Sequence, residues 1–301
     1  MKRSDNSLAK DWWFLSMLGN FPQVQVHWLS ATSYKLVENF RHFKQSLKFS
    51  LFMNPIKKVL ITKQGRKLYV RNLNEDLHTQ YGFIKKGELK KAKNGDLLKS
   101  NTNEEFFIFN PSFIDLYRKI KRNAQIIPLK DIGLIIAETG INKSSRVLDA
   151  GSGSGALACF LAIIAKEVVT YEIREDFTEI VKSNIEFLGA KNVKIKNKNI
   201  YEEIDDKNFD VIVLDLPEPW NALENCSKAL KIGGFLVSYS PSVPQVMDFV
   251  NAAKKNDGFV YLKTVEIMER EWEVEERRVR PKSKVLGHSG FLSFVRKVTN
   301  L

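Results

Sequence analysis

The sequence predicts a doubly wound α/β sheet preceded by a smaller β-rich domain. Three observations predict it. Residues Arg146–Leu157 read as a short apolar strand, three alternate glycines (Gly151, Gly153, Gly155) and the start of an apolar helix. After that point strand-like and helix-like periods alternate, as a parallel sheet with crossover helices requires. Before it, several short alternating segments are punctuated by glycine, which is the pattern of an antiparallel β domain.

Taken in order, residues 1–52 hold Trp12, Trp13 and Trp28, three of the five tryptophans, and keep no sustained period of 2 or 3.6. They are read as an N-terminal extension, with two alternatives open: a stretch outside the native protein, or a genuine helical appendage. Residues 53–122 form the expected β-rich domain, a small barrel or sandwich. Val59–Ile61 and Leu68–Val70 flank a turn with Gly65 near its tip, a hairpin pattern, and further strands are expected at Tyr81–Ile84, Asp96–Lys99 and Glu105–Phe109. Asn110 is placed to cap a helix, Pro111 to start it, and Phe113, Ile114, Leu116, Tyr117 and Ile120 to form its apolar face. A linker is expected over Asn123–Asp131.

Residues 123–301 are read as the catalytic domain. Its strands fall near Arg146–Ala150, Val168–Glu172, Val193–Asn197, Asp210–Leu214 and Phe235–Tyr239, with helices over Phe177–Leu188 and Ala222–Leu230. A long strand from Phe259 to about Glu269, a charged segment Arg270–Lys284 and a last strand Phe291–Val295 close the sheet as an antiparallel pair.

Composition bounds the function. Lysine and arginine number 47 against 35 aspartate and glutamate, a formal net charge of +12, and the excess survives removal of residues 1–52. Such a balance favours a polyanionic partner, although a solvated basic surface also produces it. Cys159 and Cys226 stand alone, in no metal-ligand spacing, so neither a disulfide framework nor a zinc site is supported and a reducing cytoplasm fits. No run approaches the roughly 20 apolar residues of a membrane span.

The glycine turn points to a small ligand, because a backbone without Cβ bends sharply and lets a ligand come close. Glu172, at the end of the next strand, is placed to accept hydrogen bonds from both hydroxyls of an adenosine ribose. The D-x-G-x-G-x-G form from Asp149, without the third-glycine spacing of dinucleotide folds, favours S-adenosyl-L-methionine over NAD. Asp215 follows the Phe209–Leu214 strand and opens Leu216-Pro217-Glu218-Pro219-Trp220, where two prolines stiffen the loop. That loop is similar in kind to the acidic Pro-Pro-aromatic loop of amino-adenine methyltransferases, in which an acceptor holds the exocyclic amine and a ring stacks on the base.

These residues, with Arg280-Pro281, His288-Ser289-Gly290-Phe291-Leu292 and Gln125-Ile126-Ile127 before Lys130-Asp131, resemble the tRNA (adenine-N1)-methyltransferases of the TrmI type, over about residues 57–297. The resemblance implies a Rossmann-like class I S-adenosylmethionine-dependent methyltransferase sheet. It also implies methylation of adenosine 58 of the tRNA T-loop, with 57 in some archaeal members, and a homotetramer. By motif position Gly151, Ser152, Gly153, Ser154 and Gly155 would surround the methionine part of the cofactor, with Gln125 beside them. Glu172 would meet its ribose and Asn199-Ile200 its adenine, with Asp215 as the catalytic acceptor. Pro217, Trp220, Arg280 and His288 would face the substrate; His288 is read as a hydrogen-bonded structural or substrate-proximal residue ahead of a general base. Pro128-Leu129 stands where the family has Tyr-Pro, which puts stacking of the target base in question, and Asn199 replaces a common Asp. The charged residues between Glu269 and Lys284 alternate in sign, so some are expected to pair across strands or subunits, and Trp272 to pack at a subunit interface. The rival expectations are a non-catalytic RNA-binding subunit and a methyltransferase with another acceptor. No metal is required by the expected chemistry.

Overall fold

The computed structural model describes residues 55–299, all within the compact unit Met53–Leu301. The expectation for residues 1–52 lies outside the described residues. The first part is antiparallel. Strands β1 (Lys58–Thr62) and β2 (Lys67–Val70) pair as the expected hairpin, and β1 also pairs with β6 (Glu105–Phe109), which carries β5 (Leu97–Lys99) on its other edge. A separate hairpin joins β3 (Leu77–Thr79) to β4 (Gly82–Ile84) and runs into helix α1 (Lys86–Lys91). Leu60, Val70, Ile84, Leu89, Phe106 and Ile108 form one buried cluster, so the hairpin and α1 cover the four-stranded sheet. Strand pairing leaves the four-stranded sheet open, with β2 and β5 as its edges.

Helix α2 (Phe113–Tyr117) is shorter than expected and begins after Pro111. Ser112, not Asn110, is the cap: the Asp115 carboxylate reaches back to accept from the Ser112 N–H at 3.1 Å and its hydroxyl at 2.6 Å. The expected linker also ends early, since helix α3 (Leu129–Thr139) starts directly behind Pro128 and stops at the left-handed Gly140.

The main sheet has seven strands in the order β12-β15-β11-β10-β7-β8-β9, namely Phe259–Glu266, Phe291–Lys297, Leu230–Ser240, Phe209–Leu214, Arg146–Ala150, Glu167–Tyr171 and Val193–Lys196. Strands β7 to β11 are parallel; β15 is antiparallel to both of its neighbours, which is the expected closing pair. Helices α4 (Ala156–Leu161), α5 (Glu175–Leu188), α6 (Leu223–Ala229) and α7 (Val243–Lys255) cover the faces. Side chains alternate across the sheet, so Val147, Val168, Val211, Val213 and Val237 enter one core while Leu148, Val169, Ile212, Leu214 and Leu236 enter the other. Near-continuous apolar strands follow from that double burial.

The charged segment beyond β12 holds a hairpin, β13 (Trp272–Glu275) with β14 (Arg278–Pro281), turning at Glu276, which takes a positive φ of 51°. Among the described residues no helix is long and apolar enough to cross a membrane.

Candidate active site

Strand order reverses between β7 and β10, and the carboxyl ends of such a pair are where α/β sheets place ligands. The glycine turn leaves β7 and Asp215 leaves β10, and the two are interlocked. The Asp215 N–H donates to the Ala150 carbonyl at 2.9 Å. Gly151 has φ +87°, and a Cβ there would sit 2.0 Å from the Asp215 carbonyl oxygen. Only glycine permits the two loops to approach so closely. Gly155 lets α4 press on α5, since a Cβ would lie 2.8 Å from Val181 Cγ1.

The turn is held from below by Glu172. This buried carboxylate accepts from the Gly153 N–H at 3.0 Å through one oxygen and from the Arg174 N–H at 3.0 Å through the other. Each oxygen keeps a further lone pair, so the pinned carboxylate can still accept from a diol. Behind the turn, Thr170 donates its hydroxyl to Asp149 at 2.8 Å and is bonded to the Ser152 hydroxyl, while the Ser152 hydroxyl also donates to the Tyr171 carbonyl at 3.1 Å. Ser154 is secured by the segment Lys121–Asn123. Asn123 N–H donates to its hydroxyl at 3.2 Å, and Asn184 bridges the Ser154 and Lys121 carbonyls at 2.8 Å each. Nothing in the sequence pattern singled out Asn184, which sits on the buried face of an ordinary amphipathic helix.

A cavity of about 390 Å³ opens over this turn, lined by Ala124 to Ile127, Asp149, Gly151 to Ser154, Glu172, Arg174, Phe177, Asp215 and Pro217, among others. Three carboxyl groups therefore meet one space. Arg174, the cation of the lining, is engaged with Asp176 at 2.9 Å. Burial pushes the Asp215 carboxyl up to about 7. Burial does the same to Asp149, also to about 7, opposed by the Thr170 hydrogen bond and reinforced by the charges of Asp215 and Glu172. Among the described residues the Asp215 carboxylate has no hydrogen-bond partner; its only bond is through the backbone.

Gln125, Gly151, Ser152, Gly153, Ser154, Glu172, Asp215 and Pro217 thus share one cavity, and Gly155 ends the turn behind them. Asn199 and Ile200 do not line it. Asn199 lines a separate cleft with Ile173, accepts from the Tyr201 N–H at 3.0 Å and donates to Glu202 at 3.1 Å, while Ile200 is a core residue. Trp220 lies in a 3-10 turn, half-buried against the same core, and is absent from the cavity wall. The stiff loop is further tied by Gln245, which donates to the Pro217 carbonyl at 2.9 Å.

Arg280 lies on β14, where it faces Glu273 across the hairpin and pairs with it at 2.7 Å; Lys282 pairs with Glu271. The alternating charges expected to pair do so in part. Trp272 is half-exposed, beneath the Arg270 guanidinium. His288 is held at both ring nitrogens, Nδ1 on Glu266 at 2.6 Å and Nε2 on the Pro241 carbonyl at 2.9 Å. Both partners are acceptors, an arrangement that suits the doubly protonated ring, and the Glu266 bond followed by the Pro241 bond raises its pKa. Both ring nitrogens are thus engaged, as the expected hydrogen-bonded histidine requires. Among the described residues no group of three or more His, Cys, Asp or Glu side chains is placed to hold a metal ion.

A doubly wound sheet with an antiparallel closing strand, a D-x-G-x-G-x-G turn and a pinned glutamate defines an S-adenosylmethionine-dependent methyltransferase. Its solved likenesses agree: an S-adenosylmethionine-dependent O-methyltransferase from Thermotoga maritima has a TM-score of 0.75 at 29% identity, covering 82% of this chain and 95% of that one. The tRNA (m1A58) methyltransferase TrmI of Aquifex aeolicus has 0.71 at 27%, covering 81% and 97%. The model of the tRNA methyltransferase complex GCD14 subunit family matches residues 115–289, and the chain belongs to that family. Among its relatives, the tRNA (adenine(57)-N(1)/adenine(58)-N(1))-methyltransferase TrmI of Methanocaldococcus jannaschii is 35% identical, over 79% of this chain and 94% of its own. The tRNA (adenine(58)-N(1))-methyltransferase TrmI of Thermus thermophilus is 32% identical, over 73% and 88%.

Proposed function

We propose that this chain transfers a methyl group from S-adenosylmethionine to N1 of adenosine 58 of tRNA, with adenosine 57 as a second acceptor. The observation that carries the reading is the Asp215 carboxylate, half-buried and without a side-chain hydrogen-bond partner among the described residues, in the same cavity as the glycine turn. A half-buried acceptor that no protein donor meets is open to an incoming amine.

The residues fit the cofactor. The bare backbone at Gly151 and Gly153 offers room for the methionine part, Glu172 keeps lone pairs for the ribose hydroxyls, and the three carboxyl groups complement a cationic ligand. When bound, S-adenosylmethionine supplies an electrophilic sulfonium methyl. Asp215, ionised, accepts a hydrogen bond from the adenine N6 amine, which raises electron density at N1 and stabilises the positive charge that N1 acquires. Pro217 and Gln245 keep that loop in place, so alignment is held before the base arrives.

A polyanionic partner is supported by the small domain. Lys85, Lys86, Lys90, Lys91 and Lys93 are exposed on and beside α1, and among the described residues their ammonium groups form no ion pair. A homo-oligomer, as a tetramer, is supported by the exposed apolar positions Trp272, Val274 and Val279 on the β13–β14 hairpin. The two reduced, buried cysteines fit a cytoplasmic protein.

Incubation with unmodified tRNA and S-adenosylmethionine, followed by nucleoside mass spectrometry with site mapping, tests the reading. N1-methyladenosine at 58 is expected. Methylation confined to another nucleotide would overturn the acceptor assignment, and failure to bind S-adenosylmethionine in calorimetry would favour a non-catalytic subunit.

A further inference from the structure

A second polar cluster, outside the residues assigned above, joins two walls of the site. Lys130, at the start of α3, places its ammonium 2.8 and 2.9 Å from the two Asp131 oxygens and 2.6 Å from the Ser289 hydroxyl. The Ser289 hydroxyl in turn donates to Asp131 at 2.8 Å, closing a triangle between groups 158 and 159 residues apart in sequence. The Asp131 side chain is 1% exposed and that of Lys130 9%. A buried pair of this kind contributes little net stability over an apolar one, so its value lies in the geometry it fixes.

That geometry bears on the acceptor side. Three residues before Lys130, the segment Ala124 to Ile127 lines the cavity. At the other end, the Tyr239 hydroxyl donates to the Ser289 carbonyl at 2.6 Å. Gly290 lies so flat on that ring that a Cβ would stand 2.5 Å from its Cζ. Tyr239 is on β11, beside β10 from which Asp215 leaves, and feels the charges of both Asp131 and Asp215.

We propose that Lys130, acting through Asp131 and Ser289, is a positioning residue that locks the 288–290 loop to the cavity-lining segment 124–127 and so fixes the wall against which the acceptor base is aligned. The inference rests on the acceptor reading given above. The 124–127 segment shares the cavity with the glycine turn, but the triangle's hydrogen bonds reach neither that turn nor Glu172, so losing a corner of it is expected to weaken cofactor binding far less than turnover.

Ser289→Ala removes one corner without leaving a buried charge alone, and Ser289→Thr keeps the hydroxyl. Wild type and both variants are compared for thermal midpoint, S-adenosylmethionine affinity by calorimetry, and kcat and KM on unmodified tRNA. The alanine variant is expected to bind the cofactor within about twofold of wild type while kcat falls about tenfold, as loss of alignment does; threonine restores most of it. Wild-type kinetics in Ser289→Ala, or a parallel loss of cofactor affinity, overturns the proposal. Wild type that binds the cofactor but leaves tRNA unmethylated sinks the acceptor reading and the proposal with it.

Discussion

At the scale of the residue, Asp215 combines two opposed demands. It must be ionised to accept from an amine, yet burial pushes it up to about 7. Activity on tRNA is therefore expected to rise with pH through an apparent pKa near 7, measured as kcat/KM against pH. Asp149 also lies near 7, so assignment needs the variant: Asp215→Asn should lose about 100-fold in kcat and lack the ionisation, leaving Asp149 in place. The stability consequence has a definite sign. A folded-state pKa above the unfolded value means that the contribution is fully present below about 3.8 and is lost as pH rises through about 7. Asp215→Asn should accordingly raise stability at pH 8, by on the order of 2 kcal/mol, and much less at pH 4; denaturant melts at the two pH values check this. His288 carries the same sign, since its pKa is raised. Its hold on Glu266 and Pro241 is complete below the ordinary histidine range and is lost as pH rises through its folded value. An NMR titration of its ring carbons should show the upward shift, and Glu266→Gln should remove most of it. Asp215 and Glu172 were legible in the sequence because each ends a clear strand. The environment of His288 was not, because Glu266 ends β12 and Pro241 follows β11, and only folding brings them to one ring.

At the scale of the element, the glycine turn separates strain from fit. Gly151 and Gly153 both have positive φ, but a Cβ at Gly151 would stand 2.0 Å from backbone, whereas at Gly153 the nearest neighbour would be Ala124 Cβ at 3.7 Å. Gly153→Ala should cost about 1 kcal/mol of backbone strain and keep the fold. Gly151→Ala should cost several-fold more and displace the Asp215 loop, so turnover falls with stability; thermal midpoints and cofactor affinity of the two variants distinguish these outcomes. The parallel strands were readable because burial on both faces leaves unbroken apolar runs. The β13–β14 hairpin was not, since Trp272-Glu273-Val274-Glu275 and Arg278-Val279-Arg280-Pro281 alternate as a strand should but are dense in charge. The start of α3 was hidden for a different reason. Pro128 reads as a loop residue, yet directly before a first turn its restricted φ, here −62°, suits the approach to the helix.

At the scale of the whole molecule, the basic excess has to be divided between charges that pair internally and charges free to meet phosphate. The late cluster that looked most suited to RNA is partly spent: Arg280 on Glu273 and Lys282 on Glu271. The α1 surface carries five exposed lysines within nine residues around a single acid, Glu88, and no ion pair among the described residues. Binding a polyanion releases counterions in proportion to the phosphates neutralised, so affinity falls linearly in log–log salt plots, and each lost contact lowers the slope by about one. Lys90→Gln with Lys91→Gln is expected to flatten the salt dependence of tRNA binding by about two and to raise KM. It should leave S-adenosylmethionine affinity unchanged, because α1 packs through Leu89 into a cluster that shares no residue with the cavity lining. Arg280→Gln should change the slope by much less, since its charge is already opposed across the hairpin. Fluorescence anisotropy with labelled tRNA from low to moderate salt reads both. Equal slopes for the α1 variant and wild type, with a reduced slope for Arg280→Gln, would move the RNA-facing surface back to the late hairpin.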